Sequence, residues 1–498
     1  MKFKKVKNLV PDQPSQTPDY FCTWQTQLFA TSDGKTVAQR NVMGEKSLFD
    51  KEKPYGWAYF FEEARQDLIF LMDSGWDVDV DKVLELRGSH FLNKGKFPSF
   101  AGDETSHTQA LKALGDKISE LGWKGLGLWV ASEENVPLLA DRSIEEYWVE
   151  RMQMSKDAGI KYWKVDNGPK RRDPEFRKWL AEKGKEQNCD FMIENALVRD
   201  SVSYSDVYRL YDVHALVAIP MTLEKIYGLR DAPSPDKRFP CLVTTDDEMY
   251  ISAALGMAFE VLRHPYAGDF PDGKKDCSYP AIGRNIKTKI AEITRAARWH
   301  RLAPAFAFDS AKTIFSEEFL CDEWHFENVL DEIEDWWLKD PIIKNYIQDN
   351  VLTKGAPAMI SREIEPPQVS ADKNGNKPYV VASKNPNGAV SIATLGRTLG
   401  REYFIPKCDI SLCGGDSTCF GVFGDYRNLT IKTDLDLGSV TVLMQDLADD
   451  VSYDVTEAVE ISEGKIVIPG SLISEIGALA QPEGDTSDVG VVIKLENV

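Results

Sequence analysis

The sequence predicts an α/β chain: a (β/α)8 TIM barrel followed by a C-terminal antiparallel β-sandwich. Three observations predict it. From about residue 20 to 300, short apolar runs alternate with amphipathic helical stretches, the pattern of parallel strands joined by right-handed crossovers. About eight such units fill those ~280 residues, which suits a closed barrel better than an open doubly wound sheet. After about residue 355 the texture becomes short β runs separated by Pro and Gly turns. The expected division is 1–350 for the barrel, with a helical extension near its end, and 351–498 for the sandwich.

The elements follow in order. Strand candidates are residues 20–24, 68–72, 125–130, 161–166, 190–194 and 207–212, with 241–244 and 261–265 completing eight. Between them, 108–121 places Leu111, Leu114, Ile118 and Leu121 on one face at a period near 3.6. Stretches 144–158 and 175–187 behave similarly, and Gly122 and Gly159 stand where helix C-caps belong. No Gly-x-Gly-x-x-Gly follows an early strand, which weakens a dinucleotide-binding alternative. Residues 286–350 read as mostly helical and acidic, with 286–300 and 327–338 as the clear stretches, until Asp340-Pro341 breaks the pattern. The later β runs are 379–382, 389–395, 429–432, 439–444, 465–468 and 489–495, with Asn385-Pro386-Asn387-Gly388 as a hairpin turn between the first two.

Composition narrows the function. A net charge of −20 with no basic stripe excludes nucleic acid as a natural partner. No window of ~18 apolar residues exists, so no membrane span is expected. The start, Met1-Lys2-Phe3-Lys4-Lys5, is basic but has no apolar stretch behind it. As written the chain reads as cytoplasmic, and as periplasmic or secreted if a signal was trimmed. The eight Cys (22, 189, 241, 277, 321, 408, 413 and 419) form no Cys-x-x-Cys, so a mostly reduced chain is expected, with a bridge among Cys408, Cys413 and Cys419 left open. The 12 Trp offer stacking faces for sugar rings, although core packing is the commoner use of Trp. Oligomeric state is not legible.

In such a barrel, functional side chains stand at the C-terminal ends of strands. Those ends supply Trp24, Asp73, Trp129, Lys164 with Asp166, Glu194, and Arg209 with Asp212. Alternation puts Lys164 and Asp166 on one face, and a cation beside a carboxylate keeps it ionised. Several charged residues converging on one mouth need a reason. Two carboxylates facing a glycosidic bond suffice to hydrolyse it. Asp166 suits the nucleophile. Asp212, between Tyr211 and Val213, suits the proton donor, although it could also cap the next helix.

These residues resemble the α-galactosidase-like glycoside hydrolases of clan D, families 27 and 36. Lys164-Val165-Asp166 resembles the clan's fourth-strand Lys-x-Asp. Met72-Asp73-Ser74-Gly75-Trp76 resembles its second-strand Asp-Asp-Gly-Trp. The run from Leu121 to Val130, with Lys96-Phe97-Pro98 leading into the helix before it, resembles its third strand. Ile193-Glu194-Asn195 falls where family 27 has Cys-Glu-Trp. Thr244-Thr245-Asp246-Asp247-Glu248, followed by a helix and Arg263-His264-Pro265, resembles a further stretch. The match spans roughly residues 20–270, and a C-terminal β-sandwich fits it as well. The resemblance implies a retaining exo-acting glycosidase that removes a terminal α-linked galactose-like sugar from an oligosaccharide or glycoside. Asp166 would be the nucleophile and Asp212 the acid/base. Lys164 and Asp73 would bind sugar hydroxyls, Glu194 and Arg209 would hold the region around the 2-hydroxyl, and Trp24 and Trp129 would wall the pocket.

Two positions depart from the clan. Ser74 replaces an Asp that reads the 4- and 6-hydroxyls of galactose, so a pentopyranose or another hexose stays open. Arg209 and Asp212 are separated by two residues rather than three or four, so Asp206 competes as acid/base. His107, His214 and His264 read as packed rather than functional. No carboxylate or His set has metal spacing, and no cofactor is expected. A Schiff-base aldolase using Lys164, a catalytically silent sugar-binding protein and a transglycosylase are the competing readings.

Overall fold

The computed structural model describes residues 3–31, 36–79, 88–211, 216–266, 268–270, 272–273, 284–329 and 347–497. Eight strands close a barrel: β1 (Tyr20–Cys22), β2 (Ile69–Met72), β3 (Leu126–Ala131), β4 (Tyr162–Asp166), β5 (Met192–Ala196), β6 (Val207–Arg209), β7 (Leu242–Asp246) and β8 (Ala258–Val261). Every pairing is parallel, and β8 returns to β1 with Glu260 opposite Tyr20.

Period-2 alternation sorts the side chains of each strand. Tyr20, Cys22, Ile69, Leu71, Trp129, Tyr162, Val207 and Leu242 form the inner cluster. Phe21, Phe70, Leu128, Trp163, Val165, Val243 and Phe259 pack outward against the helices. Gly127 faces inward, where a Cβ would meet Ile69 Cγ2 at 3.1 Å and Tyr162 Cβ at 3.2 Å.

The helices obey local rules. Helix α1 (Trp24–Thr31) follows β1. Helix α2 (His107–Glu120) starts at Ser106 in a capping box with Gln109 and buries Ala110, Leu111, Leu114 and Ile118. Helix α3 (Ile144–Asp157) has the same device in Ser143 and Glu146. Gly122 and Gly159, at φ 94° and 74°, take the left-handed position just past these two helices. Helices α4 (Pro174–Glu186), α5 (Ala218–Tyr227), α6 (Met249–Leu255) and α7 (Ala291–Leu302) complete the barrel side.

Three sequence expectations are corrected. The eighth strand is 258–261, not 261–265, because Glu260 interrupts an otherwise apolar run that is nevertheless a strand. The first and sixth strands stop at Cys22 and Arg209 rather than running to 24 and 212. Residues 303–328 are mainly extended rather than α-helical, with a single 3-10 turn at Ser310–Lys312: strands Thr313–Phe315 and Phe319–His325 hydrogen-bond into the C-terminal sheets, and the exposure of the second alternates too irregularly to stand out in an acidic sequence. The expected helix at 327–338 lies mostly outside the described residues.

The C-terminal part is a sandwich. A nine-stranded sheet faces a five-stranded one across Val390, Ile392, Phe420, Val422 and Ile493 on one side and Ile410, Leu412, Leu429, Ile431 and Ile466 on the other. Most pairings in these two sheets are antiparallel, with parallel ones between Met359–Arg362 and Tyr379–Lys384, between Val390–Leu395 and Cys419–Phe423 and between Asp409–Gly415 and Asn428–Thr433. The outer face of the large sheet, through Val381, Ala393, Phe423 and Val492, joins the main barrel core. Among the described residues every cysteine is a free thiol, Cys408, Cys413 and Cys419 included. No helix among them is long and apolar enough to cross a membrane.

Candidate active site

Asp166 is the last residue of β4, and its side chain is 21% exposed at the barrel mouth. Trp129 Nε1, from β3, donates to its Oδ2 at 3.3 Å, and Arg209 Nη1, from β6, stands 4.0 Å from the same oxygen. Side chains from β3 and β6 thus hold the β4 carboxylate at the edge of solvent.

Lys164, two residues earlier, shares the inward face but turns elsewhere. Its Nζ donates to Glu260 Oε1 at 2.7 Å, Asp73 Oδ2 at 3.1 Å and Cys22 Sγ at 3.2 Å. The expectation that Lys164 is the cation beside Asp166 is therefore corrected: Arg209 fills that place. The reason is depth, since Lys164 lies a full pleat below the mouth where buried carboxylates already wait.

Asp73 follows β2 and is 4% exposed. Besides Lys164, it accepts from the Cys22 thiol at 3.1 Å and from Ser74 N at 2.7 Å. Ser74 is buried, and its Oγ accepts from Arg40 Nε at 2.8 Å. Arg209 forks onto Asp246 at the end of β7, with Nε to Oδ1 at 3.0 Å and Nη2 to Oδ2 at 2.9 Å. Glu260 Oε2 lies 2.6 Å from the same Nε, a contact of charge rather than a directed bond because the N–H points to Asp246. Glu194 sits in the middle of β5 rather than at its end, where Tyr20 and Tyr162 hydroxyls donate to Oε2 at 2.7 and 2.8 Å.

The floor therefore holds four buried carboxyl groups, Asp73, Glu194, Asp246 and Glu260, against two cations, Lys164 and Arg209. Burial pushes Glu194 up to about 7, with Glu260 adding to it and Arg209 opposing. Burial likewise pushes Asp246 up to about 6 against the pull of Arg209. Burial works to raise Glu260 too, but Arg209 and then Lys164 hold it below the usual carboxylate range. Burial and Arg209 disfavour the Lys164 ammonium, yet Cys22, Glu260 and Asp73 together lift it well above an ordinary lysine.

The other sequence candidates separate cleanly. Trp24 opens α1 and packs, half-buried, on the inner cluster. Asp212 and His214 lie outside the described residues. Tyr211, just before them, turns the chain at φ 63° with the Arg209 guanidinium 4.0 Å from its ring centroid. Asp206 precedes β6, at the opposite end of the strand from the mouth, and is bonded to Lys185 Nζ at 2.5 Å and Ile193 N at 3.0 Å. Geometry removes it as a competitor for proton donation. His107 stacks on Phe91 at 3.5 Å, and His264 is buried among Phe29 and Tyr266. Among the described residues no group of His, Cys, Asp and Glu could hold a metal ion.

Sequence reasoning missed Glu260, Asp246, Cys22, Tyr20 and Tyr162. Asp246 had a signal, its place at a strand end inside Thr-Thr-Asp-Asp-Glu. Glu260 had one too: a lone charge inside Met257–Leu262, where only a paired carboxylate can be buried.

No family model matches the chain, and no curated protein matches it. Solved structures overlay on it loosely. A candidate α-galactosidase from Bacteroides fragilis is 10% identical with a TM-score of 0.40, over 97% of this chain and 80% of that one. A candidate α-N-acetylgalactosaminidase from Bacillus halodurans is 9% identical with a TM-score of 0.39, over 99% and 100%. A β-L-arabinopyranosidase from Geobacillus stearothermophilus, in complex with arabinose, is 10% identical with a TM-score of 0.38, over 97% of this chain and 98% of that one. Overlays this loose transfer no site.

Proposed function

We propose that the chain is a retaining, exo-acting glycoside hydrolase that removes a terminal α-linked galactose-like sugar. One observation carries the reading: Asp166 is presented to the mouth by a Trp129 N–H and flanked by Arg209, above a floor of buried charge. A buried polar floor below an exposed carboxylate is costly core design and useful for binding hydroxyl groups.

Asp166 attacks the anomeric carbon as the bond to the aglycone oxygen breaks, and Asp212 gives that oxygen a proton. Water, deprotonated by Asp212, then cleaves the glycosyl–Asp166 ester. Asp73 and Lys164 take sugar hydroxyls, and Arg209 steadies Asp166. The aldolase alternative needs a neutral amine at Lys164. Its ammonium is 2% exposed and held charged by three neighbours, which speaks against an imine.

A second reading, a silent sugar-binding protein, is favoured by Ser74: its hydroxyl is committed to Arg40, so the clan's galactose-reading carboxylate has no counterpart there. One experiment separates the two. The protein is screened on aryl α- and β-glycosides, galactosides and L-arabinopyranosides first, and then labelled with an activated fluorosugar for mass spectrometry. Turnover with label on Asp166, and none in Asp166→Asn, supports the hydrolase. Near-full activity in Asp166→Asn sinks it. Calorimetric sugar binding without any turnover selects the silent protein.

A further inference from the structure

We propose that Glu260 is the positioning residue of this site: a single carboxylate on β8 that fixes Lys164 and Arg209 across the barrel floor, and through Arg209 the surroundings of Asp166. The inference rests on the glycosidase reading above. Glu260 is 0% exposed, with Oε1 2.7 Å from Lys164 Nζ and Oε2 2.6 Å from Arg209 Nε. Lys164 comes from β4, the strand that ends in Asp166. Arg209 ends β6, the strand that leads to Asp212. Asp73 is bonded to the lysine and Asp246 to the arginine, so Glu260 is the member that joins the two halves.

The placement is expensive unless it serves something. An ionised carboxylate without solvent is tolerated only when well paired. The barrel interior accepts an apolar side chain two residues on, where Leu262 belongs to the inner cluster. A chain that needed only a filled barrel would not require an acid on β8. Removing the charge would leave Lys164 with Asp73 and Arg209 with Asp246, but the two cations would face each other with no anion between them. Both would shift, and Asp166 stands 4.0 Å from one of them. A displacement near 1 Å at reacting groups costs about a hundred-fold in rate.

The test uses the full chain with 4-nitrophenyl α-D-galactopyranoside and 4-nitrophenyl β-L-arabinopyranoside. Glu260→Gln keeps shape and removes charge. The expected result is a kcat reduced about a hundred-fold at saturating substrate, with a lowered but still cooperative melting transition. Glu260→Asp keeps the charge but cannot reach both cations, and recovers part of that loss. A kcat within about threefold of native in Glu260→Gln overturns the proposal. If Glu260→Gln does not fold, Glu260→Asp decides: a clear loss of kcat in a folded protein supports the role, and native kcat overturns it. If neither variant folds, Glu260 serves folding alone and the proposal falls. Asp166→Asn run alongside keeps the two readings apart. An inactive Asp166→Asn with a native-like Glu260→Gln rejects only this inference, whereas an active Asp166→Asn, or a native protein inert on every aryl glycoside of the screen above, rejects the glycosidase reading beneath it.

Discussion

Glu194 holds a carboxyl group at 1% exposure, with two tyrosine hydroxyls as its directed partners. Its folded value near 7 lies above the ordinary 4.5. The folded state therefore binds this proton more tightly than the unfolded chain, so the group's favourable contribution is complete below the ordinary value and declines as pH rises through that window. Glu194→Gln does not titrate. The melting temperature of Glu194→Gln minus that of the native protein should rise on going from about pH 5 to about pH 8, as followed by circular dichroism. A flat difference would mean that Glu194 is not protonated in this window. At this scale the sequence was informative where residues sit at strand ends: Asp73, Asp166 and Arg209 could be picked out because charge at the end of an apolar run is anomalous. It was silent on who pairs with whom. Lys164 lies two residues from Asp166, and only the barrel's closure shows that Glu260, 96 residues away, is its shortest contact.

Elements were legible in proportion to how local their causes are. Helices α2 and α3 follow from a Ser cap, an apolar period and a glycine past the end, all within about 16 residues. Strand β8 was misplaced by about three residues because its register depends on β7 and β1, not on its own composition. Gly127 shows the same dependence. On β3 it reads as a flexible interruption, yet it leaves room for Ile69 and Tyr162 inside the barrel. Gly127→Ala should destabilise by about 1–3 kcal/mol in urea denaturation, since both contacts would be tighter than ordinary packing allows. Ser143→Ala, on the exposed start of α3, removes one cap bond and should cost about 1 kcal/mol. If Gly127→Ala leaves the stability within about 0.5 kcal/mol of native, the crowding argument for Gly127 fails.

The whole molecule depends on the seam between barrel and sandwich, and here the sequence misleads. Helix α7 carries Glu292, Arg295, Arg298 and His300, which looks like a solvated face. Every residue from Ala291 to His300 is buried instead. Arg295 and Asp446 meet at 0% exposure with Nε–Oδ1 2.9 Å and Nη2–Oδ2 3.0 Å, and Trp299 packs so closely on Gly421 that a Cβ there would lie 2.8 Å from its ring. Helix α6 is buried over its full length beside the same sheet. A helix buried all round has no face to offer water. Two consequences follow. Asp446→Ala leaves a buried guanidinium without its partner and should cost about 3–5 kcal/mol, whereas replacing both partners, Arg295→Met with Asp446→Leu, should recover most of that loss. A chain ending at residue 350 should not fold at all: it keeps α6 and α7 but loses the sheet that covers them, exposing Trp299, Tyr250 and the unpaired Arg295 together. Expression of residues 1–350 should give insoluble protein, and co-expression with 351–498 should restore part of the soluble yield. Soluble 1–350 with a cooperative melting transition would show that the barrel covers these helices by itself, and the seam would then be a docking surface rather than a shared core.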